Sequence, residues 1–294
     1  MKTRTCLLLA LATLFGVAQA KIGDRFPSEK KVVIDPVTGV PLTFLTSTPA
    51  GDSKIYPTHR QWTADGKWVV FRSNRVRGEA MAVNEESGVI VQVTEGGYIG
   101  MLCLASHAMK MYFFRPEGGL PAPAAPRTGA EARPGAPRPS QLVEVDLGKL
   151  FADSEAGRVT RAADYERVCG TIPLDWGAGG DLAIDADEQA AYFRVAKEEA
   201  AKHLPADAKI EANFGPRHLG AGPTGLGRMD LKTGALGFIV AVPFQIGHVQ
   251  TNPWVPGEIV FCWETGGKSR SARGRCAPTA RACGRCSPRR RGTG

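Results

Sequence analysis

The sequence predicts an all-β chain, an incomplete β-propeller, and three observations carry that expectation. Strands and tight turns recur in a fixed order at intervals of roughly 40–50 residues, the mark of stacked blades rather than independent domains. Gly 35 and Pro 21 among 294 residues supply many turns, while 43% hydrophobic residues suffice for a core. The third observation is the stretch from Gly247 to Gly267, in which a polar loop with His248, Asn252 and Trp254 leads through Pro256-Gly257 into the apolar strand Glu258 to Trp263. Pro fixes φ and Gly accepts positive φ, so that dipeptide is a tight turn.

The chain opens with Lys2 and Arg4, an apolar run from Cys6 to Val17, and Ala18-Gln19-Ala20 as a small-residue cleavage site. Residues 1–20 therefore read as a secretory signal peptide, too short for a membrane anchor. The expected location is periplasmic or secreted, with no membrane attachment. Lys31 to Ile34 and Leu42 to Leu45 read as strands around the Asp35-Pro36-Val37-Thr38-Gly39 turn, and such an N-terminal strand is expected to close a ring against the last blade.

Trp62-Thr63-Ala64-Asp65-Gly66-Lys67 starts the first clear repeat, leading into Trp68 to Ser73, then Ala80 to Val83, the Glu86-Ser87-Gly88 turn, and Val89 to Thr94. This is the grammar of TolB and WD40-like blades. It recurs with Met111 to Arg115 and Leu142 to Leu147, and again with Ala190 to Val195 and Arg228 to Gly234 leading into Ala235 to Val240. The fourth round begins at His248 and stops after Trp263, which gives three blades and part of a fourth. Two insertions interrupt the order. Pro116 to Ser140 is a Pro/Ala/Gly/Arg loop expected to stay extended and mobile. Ala196 to His203 reads as one or two helical turns, with Glu198 and Lys202 paired at i, i+4 and Pro205 as the stop.

Charge and cysteines both concentrate in residues 268–294. Nine of the 37 basic residues lie there without an acid, which leaves 28 against 29 acidic residues and a net charge of −1 for the body, so the overall +8 is a property of the tail. The neutral body excludes a nucleic-acid-binding domain. Cys103, Cys169 and Cys262 stand apart and form no disulfide framework. For the tail, a basic binding arm and a metal site on Cys276, Cys283 and Cys286 are the two competing roles; a lone C-x-x-C with one outlying Cys is weak for zinc. The preferred reading is GC-rich coding sequence in a broken frame. Loss of one base near Ser269 makes the codons compatible with Ser-Pro-Gln-Arg-Ala-Trp and then Asp-Gly-Thr-Gly-Val-Arg-Pro-Leu-Phe, an Arg-x-Trp strand followed by an Asp-Gly turn. The tail is accordingly expected to be disordered, to bind no zinc, and to pack against nothing from Ser269 onward.

The phrase Gly-His-Val-Gln-Thr-Asn-Pro-Trp-Val-Pro-Gly-Glu, from Gly247 to Glu258, resembles the secreted oligogalacturonate lyases, and the likeness extends over about residues 30–267. The lyase-like propeller region is thus residues 21–267. That resemblance implies a seven-bladed propeller that cleaves unsaturated digalacturonate and short oligogalacturonates by β-elimination in pectin degradation, a carbon–oxygen lyase. It also implies a divalent metal, typically manganese, held by histidines and a glutamine. The family's arginine belongs to the Arg-x-Trp phrase expected after Gly267, its base histidine to the next blade, and its metal ligands later still. No catalytic residue or metal ligand of the family can therefore be placed on this chain, which is expected to be inactive as written, monomeric, and prone to aggregate through apolar surface near Val260 and Trp263.

The candidate substrate-binding residues are His248, His59, Arg72 and Arg75. His59 sits in a loop before the Trp62 repeat, and Arg72 and Arg75 end its first strand, where positive charge suits a uronate carboxylate. A solvated strand end is the plainer role for the arginines, and a turn-bracing hydrogen bond for His248. The competing function is a non-enzymatic TolB-like periplasmic propeller that binds a protein or sugar. The turns serve both functions equally, and only the phrase at His248 favours the lyase.

Overall fold

A computed structural model describes residues 20–120, 138–178, 180–212, 221–264, 273–276 and 284–285. Residues 1–19 of the expected signal peptide, His218 and the middle of the Pro116 to Ser140 insertion lie outside them. The N-terminal segment holds β1 (Arg25–Phe26) and a hairpin of β2 (Lys31–Ile34) and β3 (Pro41–Phe44). The first sheet continues with β4 (Ser53–Lys54), β5 (Trp68–Arg72), β6 (Ala80–Asn84) and β7 (Ile90–Gln92), in the order β1-β7-β6-β5-β4. The second contains β8 (Ile99–Leu104), β9 (Lys110–Pro116), β10 (Ser140–Asp146), helix α1 (Leu147–Glu155) and β11 (Glu166–Ile172). The third contains β12 (Leu182–Ile184), β13 (Ala190–Val195), helix α2 (Lys197–Ala201), β14 (Ala221–Asp230) and β15 (Leu236–Phe244). The fourth contains β16 (Ile246–Thr251), β17 (Ile259–Trp263), β18 (Arg273–Cys276) and β19 (Gly284–Arg285). Every pairing is antiparallel and, apart from β1 along β7, each sheet runs strand to neighbouring strand, the meander of a propeller blade.

Strands of the second and third sheets are apolar on both faces because each of those sheets lies between two others. Side chains alternate along a strand. On β9, Met111 and Phe113 join a core shared with the first sheet, while Tyr112 and Phe114 join one shared with the third. On β13, Ala191 and Phe193 face the second sheet, and Ala190 and Tyr192 the fourth. Each fully buried Phe contributes about 1.5–3 kcal/mol. On β6, Ala80 and Ala82 face the second sheet, whereas Met81 and Val83 lie on the outer flank of the first with Phe71 and Ile90.

One polar construction closes the turns. Asn84 Oδ1 accepts from the backbone N–H groups of Glu86 and Ser87, and Asp230 Oδ1 from those of Lys232 and Thr233. Gly88 and Gly234 then carry φ of 74° and 73°, which a Cβ would oppose. Asp35 caps the β2–β3 turn in the same manner through Val37 and Thr38.

Several expectations are corrected. The β2–β3 hairpin pairs only with itself among the described strands, and it is β1 that lies along β7. The hairpin is strapped to the first sheet instead, with Lys30 donating to the carbonyls of Glu85 and Glu86. The fourth sheet reaches four strands because Arg273–Cys276 pairs with Ile259–Cys262, so that part of the tail does not stand free. Val260 and Trp263 are half-buried, whereas Trp254 and the hairpin, with Ile34 at 60% exposure, are among the apolar residues that face solvent. Lys202 pairs with Glu199 and Asp175, not with Glu198, since α2 presents i, i+3 neighbours there. Helix α1 was not expected, although Asp146 caps it by accepting from Lys149 N–H at 2.9 Å and Phe151 stacks on Trp68 at 4.0 Å.

Candidate functional site

The innermost strand of the first sheet, β4, runs directly into the segment from Ile55 to Gln61. Ile55 is wholly buried and anchors it. The Gln61 amide donates to the carbonyls of Tyr56 at 3.1 Å and His59 at 2.7 Å, so the segment holds its own shape. It reaches past its own sheet: Tyr56 packs with residues of the second and third sheets and meets His248 of the fourth. His59 lies 2.7 Å from the Leu182 carbonyl of β12 through Nε2. A carbonyl only accepts, so Nε2 carries the proton, and Nδ1 is left to accept from the Thr58 hydroxyl at 3.1 Å. Burial pushes the His59 pKa below its ordinary value, with Leu182 and Asp181 opposing and Arg72 and His248 adding to the depression. His59 is therefore neutral at pH 7.

His248 lies within β16, not in a loop. A bulge between Gly247 and Gln250 shifts the register against β17, and His248 adopts φ of 52°. Such a conformation costs a residue with a side chain on the order of 1–3 kcal/mol, and bulges re-aim the side chain they carry. Here the imidazole is aimed at Glu264, with Nε2 2.8 Å from Oε1, and at Tyr56, whose hydroxyl is 3.3 Å away and whose ring stacks at 5.1 Å. Gly247 permits the approach, since a Cβ there would sit 2.3 Å from Glu264 Cγ. The Cys262 thiol donates to the same carboxylate oxygen at 3.1 Å. Burial and the neighbouring Glu264 push that thiol up to about 12, so it is protonated at neutral pH.

Arg72 donates one N–H to the Gly100 carbonyl at 3.3 Å, and its buried Nε has no hydrogen-bond partner. Arg75 behaves differently. Its five N–H donors go to Glu29, Asp52, Ser73 and Thr48, and its side chain is only 7% exposed. Arg75 thus anchors the N-terminal segment and has no donor left for a substrate carboxylate, which corrects the expectation for it. Although burial pushes Glu29 up, Arg75 and the Ser47 and Thr48 amides hold its carboxyl at about 2. Of the four anticipated residues, His59, Arg72 and His248 are brought within electrostatic reach of one another, and Arg75 is not.

Four participants carry no sequence signal of these roles. Tyr56 had no motif around it. Cys262, in β17, and Glu264, just past its end, stand at i and i+2 of one extended segment with their side chains in contact. Asp185, just past β12, accepts from the Tyr192 hydroxyl at 2.9 Å and from Gly257 N–H at 2.8 Å, which ties the third sheet to the fourth.

Among the described residues one group could hold a metal ion: His248, Cys262 and Glu264, whose donor atoms all lie within 4.8 Å of one another. A thiol is a soft donor that suits zinc far better than the hard manganese ion. Manganese held by histidines and a glutamine does not fit this set. No helix among the described residues is long and apolar enough to cross a membrane.

No family model and no curated protein matches the sequence. Solved structures do. An oligogalacturonate lyase in complex with manganese superposes with a TM-score of 0.64 at 17% identity, covering 90% of this chain and 61% of that one. An oligogalacturonate lyase from Vibrio parahaemolyticus gives 0.60 at 18% identity, covering 87% of this chain and 58% of its own. The chain thus spans about three fifths of the length of those lyases, and it shares their propeller fold.

Proposed function

We propose that the chain is a propeller of the oligogalacturonate-lyase type, whose inner edge binds short uronate oligomers and, as written, does not cleave them. The observation that carries this reading is Arg72, a guanidinium with uncommitted donors beside neutral His59 and the Tyr56–His248 pair. A guanidinium recognises a carboxylate through parallel N–H donors, while imidazole and phenol suit sugar hydroxyls. Substrate-binding roles for Arg72, His59 and His248 follow, with Tyr56 added.

β-Elimination asks for more. The carboxylate beside C5 must be neutralised, a base must take the C5 proton, and the C4 oxygen must leave. Arg72 can supply the first. Among the described residues no base is poised for the second: His59 is tied to Leu182 and His248 to Glu264. We assign proton abstraction and the family's manganese to sequence expected in the restored frame beyond Ser269. The expected signal peptide supports a periplasmic or extracellular location for such activity, with a monomer acting on oligogalacturonate and no nucleic-acid partner.

The test is absorbance of the unsaturated uronate product with digalacturonate and manganese. The chain as written is expected to give none above a blank, and the gene with its frame restored at Ser269 is expected to cleave. Cleavage by the chain as written would refute the inactive assignment. Absence of both binding and cleavage in the restored protein would favour a non-enzymatic propeller with another ligand.

A further inference from the structure

We propose that His248, Cys262 and Glu264 form a binding site for one zinc-class divalent cation, distinct in donor chemistry from any manganese centre. The inference rests on this cluster alone and not on the uronate reading. His248 Nε2 and Cys262 Sγ both converge on Glu264 Oε1, at 2.8 and 3.1 Å. The Tyr56 hydroxyl stands 3.3 Å from the same nitrogen. The Tyr56 hydroxyl can donate or accept, so its contact does not oppose the bond to Glu264. A cation at the centre would take lone pairs from imidazole nitrogen, sulfur and carboxylate oxygen at a single point.

The local backbone is built around that convergence. Gly247 pairs with Cys262 across β16 and β17, and the bulge that follows holds His248 at positive φ. Gly247 also makes room for the Glu264 side chain. Cys262, in β17, and Glu264, just past its end, lie two residues apart with their side chains in contact. Three protein ligands of nitrogen, sulfur and oxygen type, with a fourth position for water, match the open tetrahedral arrangement of zinc. Tyr56 flanks that fourth position.

Binding forms the Sγ–metal bond and breaks the S–H bond, and the proton leaves to solvent. Glu264 enters as carboxylate, and the imidazole coordinates through Nε2 with its proton on Nδ1. An ion there would pin the β16–β17 hairpin and bring the fourth sheet's inner edge into a fixed relation with the segment that carries Tyr56.

The experiment uses the full chain, stripped with chelator and titrated with cobalt(II) and zinc. We expect one equivalent of cobalt with a thiolate-to-metal charge-transfer band, displaced by zinc and not by equimolar manganese. Cys262→Ser should abolish the band. His248→Ala and Glu264→Gln should each weaken zinc binding by more than about tenfold, since even outer-shell partners cost 10–100-fold. A variant with Cys276, Cys283 and Cys286 all changed to Ser should keep both band and stoichiometry. Absence of a band in protein with an intact β-sheet circular dichroism spectrum would overturn the proposal. So would a band that follows the tail cysteines, or manganese competing as well as zinc.

Discussion

The first and fourth sheets use the same turn grammar, yet they present different inner edges. In the first, the Thr63 hydroxyl donates to Asp65 at 2.6 Å, Gly66 takes φ of 71°, and β5 to β7 follow in unbroken register. In the fourth, Pro256-Gly257 does the same work, but the strand before it is bulged, and a histidine stands at positive φ. The first sheet is a scaffold whose geometry is relaxed. The fourth holds strain at His248, where Glu264, Cys262 and Tyr56 converge. Turn residues fix the order of a blade, and departures from regular pairing fix where its chemistry sits.

Removing what joins the sheets should have the largest effect. Asp185→Ala leaves Tyr192 and the Gly257 amide without their acceptor, and each orphaned donor costs about 1–3 kcal/mol. Urea unfolding should show a loss of roughly 2–5 kcal/mol. A change below about 0.5 kcal/mol, the range of ordinary surface substitutions, would mean the fourth sheet docks without this link.

Next comes a paired substitution. Gly247→Ala should place a Cβ against Glu264, displace that carboxylate and disturb His248, at about 1–3 kcal/mol for overpacking. Gly66→Ala meets nothing within 4 Å and bears only its positive φ, about 1–2 kcal/mol. Equal costs with Glu264 undisturbed would erase the contrast between the two sheets.

The remaining effects lie in pH dependence, and they run in separate windows. Glu29 is held at about 2 in the folded protein against an ordinary value of 4.5, so its contribution is present above pH 4.5 and lost as pH falls toward 2. The folded pKa of His59 is depressed below 6.5, so its contribution is present above pH 6.5 and lost as pH falls below it. Glu29→Gln should flatten the lower window of a stability–pH profile, and His59→Gln the upper one. If either substitution flattened the other's window, the two regions would not be separate.

The blades were legible because alternation and turn chemistry are local. Trp68 to Val93 and Ala190 to Val240 contain their own evidence, in apolar runs bounded by Asn84, Gly88, Asp230 and Gly234. Helix α1 carried signals too, since Asp146 precedes Leu147, Leu150 and Phe151 at helical spacing, but the strand pattern overrode them. The site was legible only in part. His59 could be named from its loop before the Trp62 repeat, Arg72 from a strand end and His248 from the phrase around it, while the partners that define them are tertiary. Nothing near Arg75 announces Glu29 and Asp52, and nothing near Tyr56 announces His248, which lies 192 residues away. A register shift of the kind at Gly247 leaves no mark in a strand's residue types.

The most direct test of the inner edge as a uronate-binding surface is calorimetric titration of the full chain with trigalacturonate, with its fully methyl-esterified form as the neutral control. The account predicts binding that weakens with salt, is lost with the ester, and falls about 10–100-fold in Arg72→Ala, the worth of one charged hydrogen-bonding group. No binding by the folded wild-type chain, or equal affinity in Arg72→Ala, would contradict it.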